Sequence, residues 1–167
     1  MAFVINPYAL LLIDIISKKM KTIFDKETRQ SIINRINNID ENGVANWGTM
    51  NVYQMLKHCN LAEDLYLGNV KHKRFFLGYI LGRWALKGLL KDDAPMRRNA
   101  PTSDKFKVTE LSGDVAAEKQ QWIVNLEKYA NYDQPYFTHW FFGKMTREQI
   151  GQLVYKHADH HLRQFGA

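Results

Sequence analysis

At 167 residues, with 46% hydrophobic and 13% aromatic content, the chain is long and apolar enough to build one substantial core, which excludes a disordered or low-complexity protein. Four prolines and ten glycines favour helices over an all-β fold, and the single cysteine, Cys59, excludes an internal disulfide and suits a reducing cytoplasm. The formal charge of +6 favours acidic partners in general, but no nucleic-acid-binding motif accompanies it, so nucleic acid is not expected as a partner.

Residues 1–19 read as an N-terminal extension. Ala9-Leu10-Leu11-Leu12-Ile13 is strongly apolar, yet Asp14 interrupts it and Lys18-Lys19 follow. A secretory leader would carry its positive charge before the apolar run and small residues at a cleavage site, and neither is present. The run is also well short of the ~20 residues of a membrane span. The stretch is expected to be an extra helical segment docked on the rest, or an extension upstream of a natural start at Met20. Residues 20–167 are expected to form a single helical domain.

Four helices are predicted in chain order. The first begins near Asp25, a good N-cap, places Ile32, Ile33, Ile36 and Ile39 on one face, and closes at Asn42-Gly43. The second opens at Asn51 with Gln54 three residues later, a relative of the capping box, and repeats Val52, Met55, Leu56, Cys59, Ala62 and Tyr66 at helical spacing up to Gly68. The third runs from about Asp114 to Ala130 with Val115, Trp122, Leu126 and Tyr129 inward. The fourth starts at Thr146-Arg147-Glu148-Gln149, another capping-box pattern, and continues to Gln164. Between the second and third lies a long crossover, Asn69 to Gly113, helical in its first half and broken by Ala94-Pro95 and Ala100-Pro101 in its second. Short loops with one long connection predict an all-α four-helix bundle that is not simply up-and-down.

The fourth helix carries the chemistry. At about 100° per residue, Ile150, Leu153, Val154, His157 and His161 share one side, opposite Gln152, Lys156, Asp159 and Arg163. Two histidines four residues apart inside an apolar stripe stack one turn apart and need polar partners, a need that one shared metal ion meets with both rings neutral. His58, on the flank of the second helix's apolar face, can approach them, and metal sites in bundles use inward side chains from facing helices. His160 falls about 80° from His161 and is expected to pack or hydrogen-bond near the site rather than ligate. His139, in an aromatic loop before the fourth helix, is expected to be structural among Trp140, Phe141 and Phe142, with a place at the site's mouth as the other option. Cys59 points about 100° away from His58 and is expected to be an ordinary buried thiol.

The run His157-Ala158-Asp159-His160-His161, with Gln54-Met55-Leu56-Lys57-His58-Cys59, resembles the DinB/YfiT-like superfamily of metal-dependent proteins, and more specifically an uncharacterised subgroup. The resemblance covers Met20 to Ala167, including Arg98-Asn99-Ala100-Pro101-Thr102 and His139-Trp140-Phe141-Phe142-Gly143-Lys144, where Trp140 replaces the proline expected after His139. It implies a DinB/YfiT-like bundle whose metal ligands are His58, His157 and His161. It further implies metal-dependent chemistry on a small molecule, in particular thiol transfer or thiol-dependent isomerisation with a low-molecular-weight thiol.

Three imidazoles leave an open coordination position, unlike a closed structural site. Zinc or nickel is the expected ion, with iron also compatible, because histidine spacing does not name the metal. Ala158 stands where a His-Glu-x-x-His protease would carry its glutamate. The alternatives are a metal-dependent hydrolase, a non-catalytic metal-braced module, and a membrane-surface binder using residues 71–91. In that last segment Lys71, Lys73, Arg74, Arg83, Lys87 and Lys91 flank aromatic and aliphatic residues. The favoured expectation there is a crossover that covers the bundle end and buries its aromatics, with Arg74, Arg83 or Arg98 greeting an acidic substrate. A homodimer is left open.

Overall fold

A computed structural model describes residues 20–167; the expectation for residues 1–19 lies outside them. Among the described residues the chain is mostly helical, with five α-helices and one small two-stranded sheet. Helix α1 (Lys26–Asn37) starts where the Asp25 carboxylate accepts from Thr28 N at 2.8 Å. It ends sooner than predicted, with Asn38 as its C-cap, so Ile39 packs into the core from beyond the helix. Helix α2 (Val52–Tyr66) opens on the full reciprocal box, Asn51 with Gln54, and α5 (Arg147–Gln164) opens on the equivalent box of Thr146 with Gln149. Helix α4 (Val115–Glu127) is capped by Asp114 and tightens into a 3₁₀ turn over Lys128–Asn131, the segment expected to remain α-helical.

Helix α2 packs on α4 and α5, and α1 packs on the same two. Ile32, Ile36, Met55, Leu56, Trp122, Leu126, Ile150, Val154 and Leu162 meet there almost wholly out of water. Each such side chain contributes about 1.5–3 kcal/mol of transfer free energy, so this shared interior dominates the fold. Two residues expected on the outer side of α5 are also buried. Lys156 donates to the Asp92 carbonyl at 2.7 Å, and Asp159 accepts from Arg35 Nη1 and Arg163 Nε, each at 2.7 Å. Loop and helix-α1 partners cover that side, which periodicity within one helix does not reveal.

The crossover contains α3 (Phe76–Leu89) and a 3₁₀ turn at Asp104–Phe106. Strands β1 (Tyr136–His139) and β2 (Gly143–Thr146) form an antiparallel hairpin in which His139 pairs with Gly143, whose positive φ of 82° suits glycine at the turn. The aromatic loop expected before the last helix is the turn of this hairpin, with His139 at the end of β1 and Trp140 in the first linking position.

Helix α3 lies against that turn through glycines. A Cβ at Gly78 or Gly82 would meet the Phe141 carbonyl oxygen at 2.5 or 2.2 Å. The expectation that the crossover buries its aromatics does not hold for this helix. Phe75, Phe76, Leu77, Tyr79, Ile80, Leu81 and Trp84 are exposed, because the helix turns its small residues to the protein and its large ones outward.

Candidate metal centre

His58 comes from the middle of α2, and His157 and His161 come from successive turns of α5. Their ring nitrogens lie within 4.8 Å of one another, and Nε2 of His58 is 3.2 Å from Nε2 of His157. The ring centroids of His58 and His161 are 4.8 Å apart, and those of His157 and His161 are 4.7 Å apart. Three imidazole nitrogens around one tetrahedral ion at ~2.0–2.1 Å would be separated by roughly 3.3 Å, so the cluster already approaches that spacing.

The hydrogen bonds behind the rings settle which nitrogens face inward. Nδ1 of His58 is 2.9 Å from the Phe106 carbonyl oxygen, which only accepts, so Nδ1 carries the proton and Nε2 keeps its lone pair. Nδ1 of His161 is 2.9 Å from Oε1 of Gln164. The Gln164 amide nitrogen donates to the Trp47 carbonyl at 2.8 Å, which fixes the amide's orientation and hence the proton on His161 Nδ1. Two of the three rings thus present Nε2 as an acceptor by virtue of a backing partner, the arrangement that metal-ligating histidines use.

Burial holds all three rings neutral. It pushes the imidazole pKa of His58 below its ordinary value, that of His157 well below, and that of His161 down to about 3, and the neighbouring rings push in the same direction on the latter two. Neutral nitrogen donors with lone pairs converging in a buried space fit a borderline divalent ion, and His58, His157 and His161 could hold one.

His139 is not brought into the cluster. Its Nδ1 accepts from both Phe141 N and Phe142 N at 3.1 Å, so it closes the hairpin turn, with its ring stacked on Phe142 at 4.6 Å. Burial and the nearby Arg74 lower its pKa to about 3. His160 is half-buried, with its ring 5.1 Å from His161 and 5.5 Å from Trp47. Cys59 is wholly buried, with Sγ directed to Met55 Sδ at 3.8 Å.

A cavity of about 470 Å³ opens beside His161 and His160, walled by Trp47, Asn99, Lys107 and Gln164 among others, with no aspartate or glutamate among the described residues of its lining. Asn99 holds a φ of 55°, a conformation asparagine tolerates better than most residues, and this kink shapes the Arg98–Thr102 segment at the cavity wall. The Trp47 indole N–H is buried without a hydrogen-bond partner among the described residues. Of the three arginines considered from sequence, Arg98 stacks on the Trp47 ring at 4.4 Å. Arg74 instead donates to the Gly78 carbonyl, and Arg83 to that of Lys144.

Trp47, Phe106 and Gln164 escaped the sequence reading. Gln164 had a signal, its i+3 spacing from His161 on one helix face. A backbone carbonyl such as that of Phe106 has none.

A family described as a protein of unknown function, DUF1569, matches residues 18–167. The chain belongs to this family. No curated protein and no solved structure matches it. The match spans both helices that carry the three histidines of this DUF1569 domain, and the cavity-wall segment as well.

Proposed function

We propose that this DUF1569 protein is a DinB/YfiT-like four-helix-bundle metalloenzyme that acts on a small molecule at an open three-histidine site. The bundle would consist of α1, α2, α4 and α5, with α3 lying in the crossover. The reading rests above all on one observation: two of the three converging imidazoles are backed at Nδ1, by the Phe106 carbonyl and by Gln164, so that their Nε2 lone pairs are free to ligate. Nε2 of His157, the ring without a backing hydrogen-bond partner among the described residues, lies 3.2 Å from Nε2 of His58, so a bound ion would replace a hydrogen bond that His157 can donate there. A bound zinc or nickel ion would supply Lewis acidity at an open position, which stabilises a thiolate or polarises an electrophile.

The residues around the site define what could approach it. The cavity beside His161 has Arg98 stacked on its Trp47 wall, while Lys107 in the same wall is paired with Asp104; the arginine favours a substrate carrying negative charge or several acceptor oxygens. The buried Trp47 N–H is one donor awaiting such an acceptor. Low-molecular-weight cellular thiols bearing carboxylates meet that description, and thiol transfer or thiol-dependent isomerisation is the reaction class proposed. The free, buried Cys59 is compatible with a reducing cytoplasm.

Elemental analysis of the purified protein beside His58→Ala and His157→Ala tests the site. The expected result is about one divalent ion per chain in the wild type and a tenfold or greater loss in each variant; equal metal in all three overturns the assignment. Incubation of the metal-loaded protein with a carboxylated thiol and an electrophile then tests the chemistry. Conjugate should form with the wild type and not with His161→Ala, and turnover of an ester or amide without any thiol would replace the proposal with hydrolysis.

A further inference from the structure

We propose that the outer face of α3 is a docking surface for an anionic lipid bilayer, distinct from the histidine site. The helix is inverted relative to an ordinary surface helix. Its inner side is Gly78, Gly82 and Leu86, all buried, with the two glycines seated on the Phe141 backbone. At about 100° per residue, Phe76, Leu77, Ile80, Leu81 and Trp84 occupy one outward sector. They are between 46% and 78% exposed, whereas Phe75 and Tyr79, also exposed, lie toward the inner side against Trp140 and Arg74. Five large apolar side chains sharing one exposed sector are costly in water and mark an interaction site.

The charge around the patch selects the occupant. Between Leu65 and Lys91 there is no acidic residue and there are six Lys and Arg. Lys71 and Lys73 precede the helix, Arg83 and Lys87 lie along one edge of the apolar sector, and Lys91 follows it, all exposed. Among the described residues only Lys91 of this set pairs with a carboxylate, Asp92 at 3.7 Å. An aromatic and aliphatic sector bordered by unneutralised cations is the composition that lies in the headgroup region of an anionic membrane, with apolar side chains below and lysines at the phosphates. A second copy of the same face is disfavoured, since apposing two such patches would bring twelve cations together with only Asp92 of each copy to offset them. No helix among the described residues is long and apolar enough to cross a membrane, so the attachment would be peripheral.

The test uses the full chain and sedimentation with vesicles of phosphatidylcholine alone or with about a third phosphatidylglycerol. Expected are binding to the anionic vesicles only, weakening at least tenfold between low and high salt. A tenfold or greater loss is also expected in Ile80→Asp/Trp84→Asp, whose thermal melt should match the wild type because both positions are exposed. Lys87→Glu should weaken binding in the same direction. Three results would overturn the proposal. One is the absence of binding to anionic vesicles. Another is binding undiminished in the double variant, which would place it elsewhere, such as at the apolar residues 9–13. The third is a dimer in solution that Trp84→Asp dissociates while vesicles capture nothing, which would assign the face to a second copy.

Discussion

Oε1 of Gln164 sits 2.9 Å from Nδ1 of His161, one helical turn earlier on α5, while the same amide donates to the Trp47 carbonyl at 2.8 Å. One side chain thereby sets the tautomer of a candidate ligand and ties it to the loop that walls the adjoining cavity. Replacing it with alanine should leave His161 in place but free to rotate or change tautomer. Metal affinity in Gln164→Ala, measured by competition with a chromogenic chelator, should fall about 10–100-fold. An unchanged affinity would show that the backing bond does not matter to the site.

Glu63 provides a pH signature independent of the histidines. Its carboxyl is wholly buried, accepting from Tyr129 Oη at 2.6 Å and Trp122 Nε1 at 3.4 Å, and burial raises its pKa to about 7. The unfolded chain ionises near 4.5, so between that value and about 7 the folded state holds a proton the unfolded state has lost. Stability from this group is therefore greatest at low pH and declines as pH rises to about 7, by up to about 3 kcal/mol. His139 acts in the opposite sense. Its folded pKa of about 3 lies below the ordinary 6.5, so its contribution is full above 6.5 and is lost as pH falls toward 3. Urea unfolding at pH 5 and pH 8 should show Glu63→Gln relatively stabilised at the higher pH. A parallel shift at both values would refute the assignment.

The two-arginine clamp on Asp159 is a third target. Burial opposes ionisation, and the hydrogen bonds from Arg163 and Arg35 override it and hold the carboxyl below its usual range. Arg35 also donates to the Ala167 carbonyl at 2.9 Å, so the clamp joins α1 to the end of α5. Asp159→Asn should cost about 1–3 kcal/mol, read as a lowered urea midpoint with an unchanged slope. A slope change would instead point to a rearranged native or denatured state.

Glycines of α3 give a paired prediction with opposite signs. Gly82→Ala places a Cβ 2.2 Å from the Phe141 carbonyl oxygen and should cost about 1–3 kcal/mol as helix and hairpin are forced apart. Gly88 has nothing within 4 Å of such a Cβ, and Gly88→Ala should stabilise by about 0.5–1 kcal/mol through helix propensity and reduced freedom of the unfolded chain. Thermal melts of the two variants should move in opposite directions.

What was legible beforehand depended on how local the determining interaction is. Asn51 with Gln54 and Thr146 with Gln149 announce their helices because a capping box is closed within four residues. The i, i+4 spacing of His157 and His161 places them on one face for the same reason. Their convergence with His58 depends on how α2 meets α5, and only inference from bundle geometry and family resemblance reached it. The burial of Lys156 and Asp159 escaped because their partners, Asp92 and Arg35, lie 64 and 124 residues away. Helix α3 misled for a related reason. Its apolar stripe has the period of a core face, but two glycines decide which side meets the protein, and hydrophobicity counts weigh them hardly at all.

The ring of His58 is oriented by the main-chain oxygen of residue 106, not by a side chain. Any amino acid at that position offers the same oxygen, so the tautomer does not depend on the Phe106 side chain; that buried ring is held instead by its packing against His72 and Trp140. What natural variants can alter less easily is the number of residues between the Asn99 turn and the 3₁₀ turn at Asp104–Phe106 that carries that oxygen. Insertions and deletions in this short stretch, rather than point substitutions, are where the geometry of the histidine cluster is most exposed to evolutionary drift.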